Sequence, residues 1–131
     1  MLSWCSIDGH DAQRYVENME ILISEYGPGG TKPRAADNPV TFVFMTGHAQ
    51  GQGEDMTANS VHYNNELIRV HCRAYNRLLF DFADIEAYDP DGNYYWDQGL
   101  EDDLDYDSGN WAQEWIAANP GSELDALTTG N

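Results

Sequence analysis

The chain has 131 residues, 41% hydrophobic and 12% aromatic, which is enough to build one folded domain over residues 1–131. Its 23 acidic and 6 basic residues leave a net charge of −17, and 14 of the acids follow Arg77, the last basic residue. Because phosphate groups are bound by clustered lysine and arginine, this composition excludes nucleic acid and anionic membranes as expected partners. No run of about 18 apolar residues predicts a membrane span.

The first elements are a short strand at residues 2–7 and a helix at about residues 10–26. Apolar side chains recur along that helix at the spacing that places them on one stripe. They are Ala12, Tyr15, Val16, Met19, Leu22, Ile23 and Tyr26. Gly27 and Pro28 predict the end of the helix.

Two short apolar runs, at residues 41–45 and 78–80, have the composition of buried strands. The segment between them, at about residues 58–76, has apolar residues at roughly helical spacing. A strand, a crossover helix and a parallel strand are therefore predicted. The strands end in polar residues, with His48 after the first and Asp84 after the second. Ligands gather at the carboxyl ends of the strands in such sheets, so this edge is the expected functional site.

The remainder begins with a long acidic and aromatic loop, predicted for residues 84–107. Within it, Asp89, Pro90, Asp91, Gly92 and Asn93 form a strong turn signal between aromatic residues. A short helix is then predicted from residue 110 to the proline at position 120, and Ser122 can cap one further turn.

The two cysteines leave two alternatives open. Cys5 ends the possible first strand and Cys72 lies in the crossover helix, so a disulfide would join helix to sheet. That bond favours a secreted or periplasmic protein, whereas two reduced thiols favour a cytoplasmic one. The sequence itself does not set the compartment.

His48 is the candidate acid/base residue, because it follows a strand and a glycine. A carboxylate partner would orient its ring and raise its pKa, and Asp8, Asp84 and Glu86 are the candidates. Structural packing is the alternative role for His48. No serine lies in a nucleophile-elbow motif.

Asp89, Asp91 and Gly92 suggest a calcium loop, since hard cations bind several carboxylate and carbonyl oxygens around a sharp turn. With Gly92 at the sixth position, Ala87 and Gln98 occupy the first and twelfth positions, so a helix-loop-helix calcium site is excluded. A looser calcium site and a solvated acidic loop without a cofactor are the alternatives. The candidate ligands of the looser site are Asp84, Glu86, Asp89 and Asp91.

Several phrases between about residues 4 and 120 resemble bacterial proteins related to the SGNH hydrolases. They include the dipeptide Trp4-Cys5, residues 42–48, residues 80–86 with residues 88–92, and residues 110–112. The resemblance implies a flavodoxin-like three-layer α/β/α fold with a short parallel sheet. It also implies a serine esterase-type site at the carboxyl ends of the strands.

The same resemblance identifies what this chain lacks. Members of the superfamily have a Gly-Asp-Ser block on the first strand and a late Asp-x-x-His block, and neither is present. The chain therefore resembles an interior segment of such a domain. The remaining cleft would hold His48, Asp81, Asp84 and Glu86. Ser6 and Asp8 would fall near the oxyanion-binding block.

Three functions are consistent with the sequence. The first is an ester or carbohydrate-ester hydrolase acting on a small-molecule or carbohydrate ligand. The second is a non-enzymatic module whose aromatic loop, residues 88–106, binds a metal ion or a sugar, with exposed rings against the ligand. The third is a structural protein that forms homo-oligomers through open sheet edges.

Overall fold

A computed structural model describes residues 6–128, and the side chains through residue 125. The elements in chain order are helices α1 (Ala12–Tyr26) and α2 (Pro33–Asp37), strand β1 (Val43–Met45), helix α3 (Val61–Tyr75), strand β2 (Leu78–Phe80) and helix α4 (Phe82–Ala87). They continue with strands β3 (Asp105–Tyr106) and β4 (Gly109–Asn110) and helices α5 (Trp111–Ala118) and α6 (Glu123–Thr128).

The two long helices begin at side-chain caps, as local chemistry predicts. Asp11 accepts a hydrogen bond from the amide of Arg14 at the start of α1, and Ser60 accepts one from the amide of Tyr63 at the start of α3. At the end of α1, the amide of Gly27 donates a hydrogen bond to the carbonyl of Ile23. The predicted helices at residues 10–26 and 58–76 are therefore confirmed, with ends that differ by at most three residues.

Strands β1 and β2 are parallel and adjacent, with Val43 opposite Leu78 and Met45 opposite Phe80. α3 forms the crossover between them, so the predicted strand, helix and strand unit is confirmed. The protein has mixed helix and strand with a small parallel sheet, which is an α/β architecture. Strands β3 and β4 form a separate antiparallel pair.

The core lies on one face of the parallel sheet. Phe44 is fully buried there, with its ring centroid 5.9 Å from Tyr15 of α1 and 5.4 Å from His71 of α3. Since side chains alternate along a strand, Leu78 and Phe80 point to the opposite face. In the described part of the chain they are 58% and 39% exposed.

The predicted loop at residues 84–107 differs from the structure at its beginning. Residues 84–87 are the second half of α4 and not a loop. The helix begins after Asp81, whose side chain accepts a hydrogen bond from the amide of Asp84. A single 3₁₀ turn, Trp96–Gln98, and strand β3 interrupt the remainder. At the C-terminal end, the amide of Asp125 binds Ser122 Oγ at 3.3 Å, which is the predicted cap of α6.

Cys72 is a buried free cysteine, and burial raises the pKa of its thiol to about 11. Cys5, the other half of the predicted disulfide, lies outside the described residues, as does most of the predicted strand at residues 2–7. No helix among residues 6–128 has both the length and the apolar content required to cross a bilayer.

Candidate functional site

The carboxyl ends of the two parallel strands meet in a hydrogen-bonded junction. Thr46 follows β1, and its hydroxyl donates to Asp81 Oδ1 at 3.0 Å. The same hydroxyl accepts a hydrogen bond from the amide of Ala83 at 3.0 Å. This junction attaches the start of α4 to the end of the sheet.

Arg69 of α3 completes the junction. Its Nε and Nη2 atoms donate to the two carboxylate oxygens of Asp81 at 2.7 and 2.8 Å, and Nη1 donates to Glu66 at 2.8 Å. Burial alone would lower the pKa of Arg69, but the bonds to both carboxylates outweigh it and raise that pKa. Burial likewise acts to raise the pKa of Asp81, and Arg69 reverses the effect, so the net shift is downward. Both groups are therefore held charged.

A groove of about 320 Å³ opens beside this junction, between α3, α4 and the segment that follows α4. This volume is at the lower end of the range of small-molecule sites, about 300–1,000 Å³. The α3 wall carries side chains at positions 62, 66, 69 and 73, which recur every three or four residues and so share one helix face. The lining residues are His62, Glu66, Arg69, Arg73, Asp81, Ala83, Asp84, Ala87, Tyr88, Tyr94 and Trp96.

The opposite wall of the groove is aromatic. The rings of Tyr88 and Tyr94 lie 5.0 Å apart, and the two residues form an antiparallel backbone bridge. The Tyr94 hydroxyl donates to Glu54 at 2.9 Å, and the indole nitrogen of Trp96 donates to the carbonyl of Gly53 at 2.8 Å. Burial and the bond to Glu54 raise the pKa of Tyr94, so it stays neutral. Tyr88 is 42% exposed and presents ring surface.

Two charged side chains on the groove walls form few contacts with the rest of the protein. The Asp84 side chain is exposed and makes no hydrogen bond or ion pair within residues 6–128. The Arg73 side chain is 66% exposed and contacts Glu66 only at 3.7 Å. The Asp84 carboxylate is thus free to bind a ligand, and the Arg73 guanidinium is exposed beside it on the same groove.

His48, the predicted acid/base residue, lies against Glu86 and Asp102 and does not line this groove. Its Nδ1 donates to the carbonyl of Ala49 at 2.7 Å and is 3.9 Å from Asp102 Oδ2. Its Nε2 is buried and has no hydrogen-bond partner in the described part of the chain. No hydrogen bond or ion pair joins His48 to Asp84 there, so each predicted residue lies in a different environment.

Glu86 is 4% exposed, and its carboxylate accepts a hydrogen bond from the amide of Ala49 at 2.8 Å. Its backbone carbonyl accepts a bond from the indole of Trp111 at 2.9 Å. Burial raises the pKa of Glu86 to about 7, although the bond from Ala49 and the nearby His48 act to lower it. Glu86 is therefore a carboxylate proposed to accompany His48 that does lie near it.

Ser6 and Asp8, predicted near an oxyanion-binding block, both lie beside Gln50. The amide of that side chain donates to Ser6 Oγ at 2.9 Å, and its oxygen accepts a bond from the backbone amide of Asp8 at 3.3 Å. Both residues are exposed. Neither side chain hydrogen-bonds His48 within residues 6–128, and their roles near an oxyanion-binding block stay predictions.

The predicted calcium ligands belong to a tight turn. Asp89 Oδ1 accepts bonds from the amides of Asp91 and Asn93, and Oδ2 accepts bonds from the side chains of Asn93 and Tyr95. Asp91 Oδ2 accepts a bond from Trp115 at 2.8 Å. Within residues 6–128 no group of three or more side chains is arranged to hold a metal ion. Calcium binding here stays a prediction.

The sequence reasoning missed the role of α3 in the site. Arg69 and Arg73 were not assigned to it, although positions 62, 66, 69 and 73 form a polar stripe at helical spacing. That stripe was the available signal.

Comparison with family models, with curated proteins and with solved structures gives no match for this chain.

Proposed function

We propose that this protein binds a neutral carbohydrate in the groove beside Asp81, without catalysing a reaction on it. The observation that supports this most strongly is the position of the exposed Tyr88 ring on the same groove as the free Asp84 carboxylate and the Arg73 guanidinium. A sugar ring presents C–H groups to an aromatic face and hydroxyl groups to acceptors and donors.

The charges of the groove favour a neutral ligand over an ionic one. Arg69 and Asp81 neutralise each other through two hydrogen bonds. The chain carries a net charge of −17, which repels anionic ligands over a long range. The groove walls hold two arginines, Arg69 and Arg73, and three carboxylates, on Glu66, Asp81 and Asp84, so they present charges of both signs. A polyhydroxyl compound uses both kinds of polar group and needs no net charge.

Titration with neutral hexoses and their disaccharides, followed by NMR of the backbone amides, tests the proposal. Binding is expected to shift the amides of α4 and of residues 88–96. Tyr88→Ala and Asp84→Asn are expected to weaken the binding by about tenfold or more, because each removes a principal contact. Ile85→Ala is the matched control, since this exposed α4 residue does not line the groove. Absence of any shift with every sugar would overturn the proposal.

Ester hydrolysis, which the SGNH resemblance implies, is the second candidate function. The observation that favours it is the proximity of His48 to Glu86, whose pKa of about 7 suits proton transfer. No serine hydroxyl among residues 6–128 hydrogen-bonds His48, so the described residues supply no nucleophile to this pair. Cleavage of a short acyl ester that is lost in both His48→Ala and Glu86→Gln would support hydrolysis over simple binding.

A flavodoxin-like three-layer arrangement goes beyond the mixed helix and sheet described above, and we propose it for this protein. Its support is that Leu78 and Phe80 are apolar and exposed on the face opposite α1 and α3. If a third layer covers them, Phe80→Asp will lower the melting temperature by several degrees. An unchanged melting temperature would show that this face is open.

A further inference from the structure

The groove beside Asp81 is long as well as narrow. His62 and Arg73 both line it from α3 and are 11 positions apart in the chain. That separation corresponds to about 16 Å along the helix axis. Because a volume of about 320 Å³ is spread over this length, the groove is a narrow channel and not a rounded pocket. Its shape fits an extended molecule better than a compact one.

Two contacts show that the opposite wall of the groove follows α3 over much of this length. Towards the C-terminal end of α3, the carboxylate of Asp81 binds Arg69 at 2.7 and 2.8 Å. Near the N-terminal end of α3, the ring of Trp96 lies 6.0 Å from the ring of His62. Residues 81–96 therefore run antiparallel to α3 and supply the second wall of the channel.

The polar groups of α3 that can bind a ligand lie at the two ends of the groove. Glu66 and Arg69, in the middle of the α3 wall, are paired with each other at 2.8 Å. Arg73, at one end, is 66% exposed. His62, at the other end, makes no hydrogen bond within residues 6–128, and its Nδ1 is a buried atom without a partner there. Since buried polar atoms are normally hydrogen-bonded, this end has an unused bonding position.

We propose that the ligand of this groove is a linear oligosaccharide, bound lengthwise between His62 and Arg73. This inference rests on the carbohydrate binding proposed above. A single sugar ring reaches the polar groups of one end only, whereas a chain of rings presents hydroxyl groups along its whole length. Tyr88, which follows α4 in the chain between Asp81 and Trp96, is 42% exposed and contacts an inner unit of the chain.

Calorimetric titration with neutral gluco-oligosaccharides of increasing length, in an α-1,4-linked and a β-1,4-linked series, tests this inference. In a series that binds, the affinity per sugar unit is expected to rise by about tenfold or more from the monosaccharide to the hexasaccharide, because linked units occupy neighbouring positions at a high effective concentration. A constant affinity per unit in both series would overturn the inference and leave the proposed carbohydrate binding in place. No binding of any sugar would overturn both.

Substitutions at the two ends test the lengthwise position of the chain. His62→Ala and Arg73→Met each remove one end contact, and each is expected to reduce the ratio of hexasaccharide to monosaccharide affinity by about tenfold. Val70→Ala is the matched control, because Val70 is an exposed residue of the same helix that does not line the groove. Circular dichroism first establishes that the variants are folded, and Arg73→Met, at an exposed position, provides the test if His62→Ala does not fold. An unchanged ratio in a folded end variant would overturn the inference.

Discussion

Arg69 of α3 and Asp81, directly after β2, are joined by two parallel hydrogen bonds of 2.7 and 2.8 Å. This pair connects the crossover helix to the end of the sheet from which α4 begins. Asp81 also accepts hydrogen bonds from the Thr46 hydroxyl and the Asp84 amide. One carboxylate therefore determines the position of both strand ends and of the floor of the groove.

Removal of the guanidinium is expected to be strongly destabilising. Arg69→Met leaves Asp81 partly buried without its principal partner, and we expect a loss of about 3 kcal/mol in the free energy of unfolding. Urea denaturation at neutral pH measures it. Arg73→Met is the control, because that side chain is 66% exposed and its change should stay within about 0.5 kcal/mol. Equal effects of the two substitutions would contradict the structural role of Arg69.

Glu86 is expected to make stability depend on pH. Its pKa rises from 4.5 to about 7 on folding because the group is buried. Between these values the folded state binds a proton that the unfolded state has released. The stabilisation that this proton gives to the folded state is thus fully present below pH 4.5 and is lost as the pH rises through 7.

Glu86→Gln keeps a neutral acceptor for the Ala49 amide and removes this titration. Relative to the unsubstituted protein, the free energy of unfolding of the variant should rise by about 1–3 kcal/mol from pH 5 to pH 8. Each unit of pKa shift corresponds to about 1.4 kcal/mol. Denaturation of both proteins at the two pH values provides the comparison. The same difference at pH 5 and at pH 8 would show that Glu86 does not titrate in this range.

Salt is expected to stabilise the fold. The net charge of −17 produces repulsion between exposed carboxylates in the compact state. Raising the ionic strength from about 0.01 M to about 1 M shortens the screening length from about 30 Å to about 3 Å. The melting temperature should therefore increase across this series. Sodium chloride and potassium chloride should act alike, and a flat response to both would argue against this source of instability.

Gly47 is packed too closely for a larger residue. A Cβ atom at this position would lie 2.7 Å from Ile7 Cγ2 and 2.8 Å from Ile7 Cβ. Its backbone is also held on both sides by Asn65, which accepts a bond from its amide at 2.8 Å and donates to its carbonyl at 3.1 Å. Gly47→Ala is expected to cost about 1–3 kcal/mol through overpacking. Thermal melting measures this, and an unchanged midpoint would show that Ile7 can move.

The local patterns of the sequence determined the two long helices, the parallel strand pair and the crossover between them. These features depend on neighbouring residues: the caps Asp11 and Ser60, the spacing of apolar side chains and the short runs around Phe44 and Leu79. The acidic composition likewise determined that the long-range electrostatic potential of the protein is negative. The polar residues that follow the apolar runs also mark Asp81 and Asp84 as site residues.

Only the tertiary structure decided which of these polar groups meet. His48 lies near Glu86, whereas Asp84 lines the groove, because α4 begins at Asp81 and its turn directs residues 84 and 86 to different sides. Arg69 enters the site from α3, 12 positions before Asp81, and Tyr94 reaches it by bridging to Tyr88. Such contacts depend on how helices pack on the sheet, which is set by the fit of distant side chains and leaves no periodic signal along the chain.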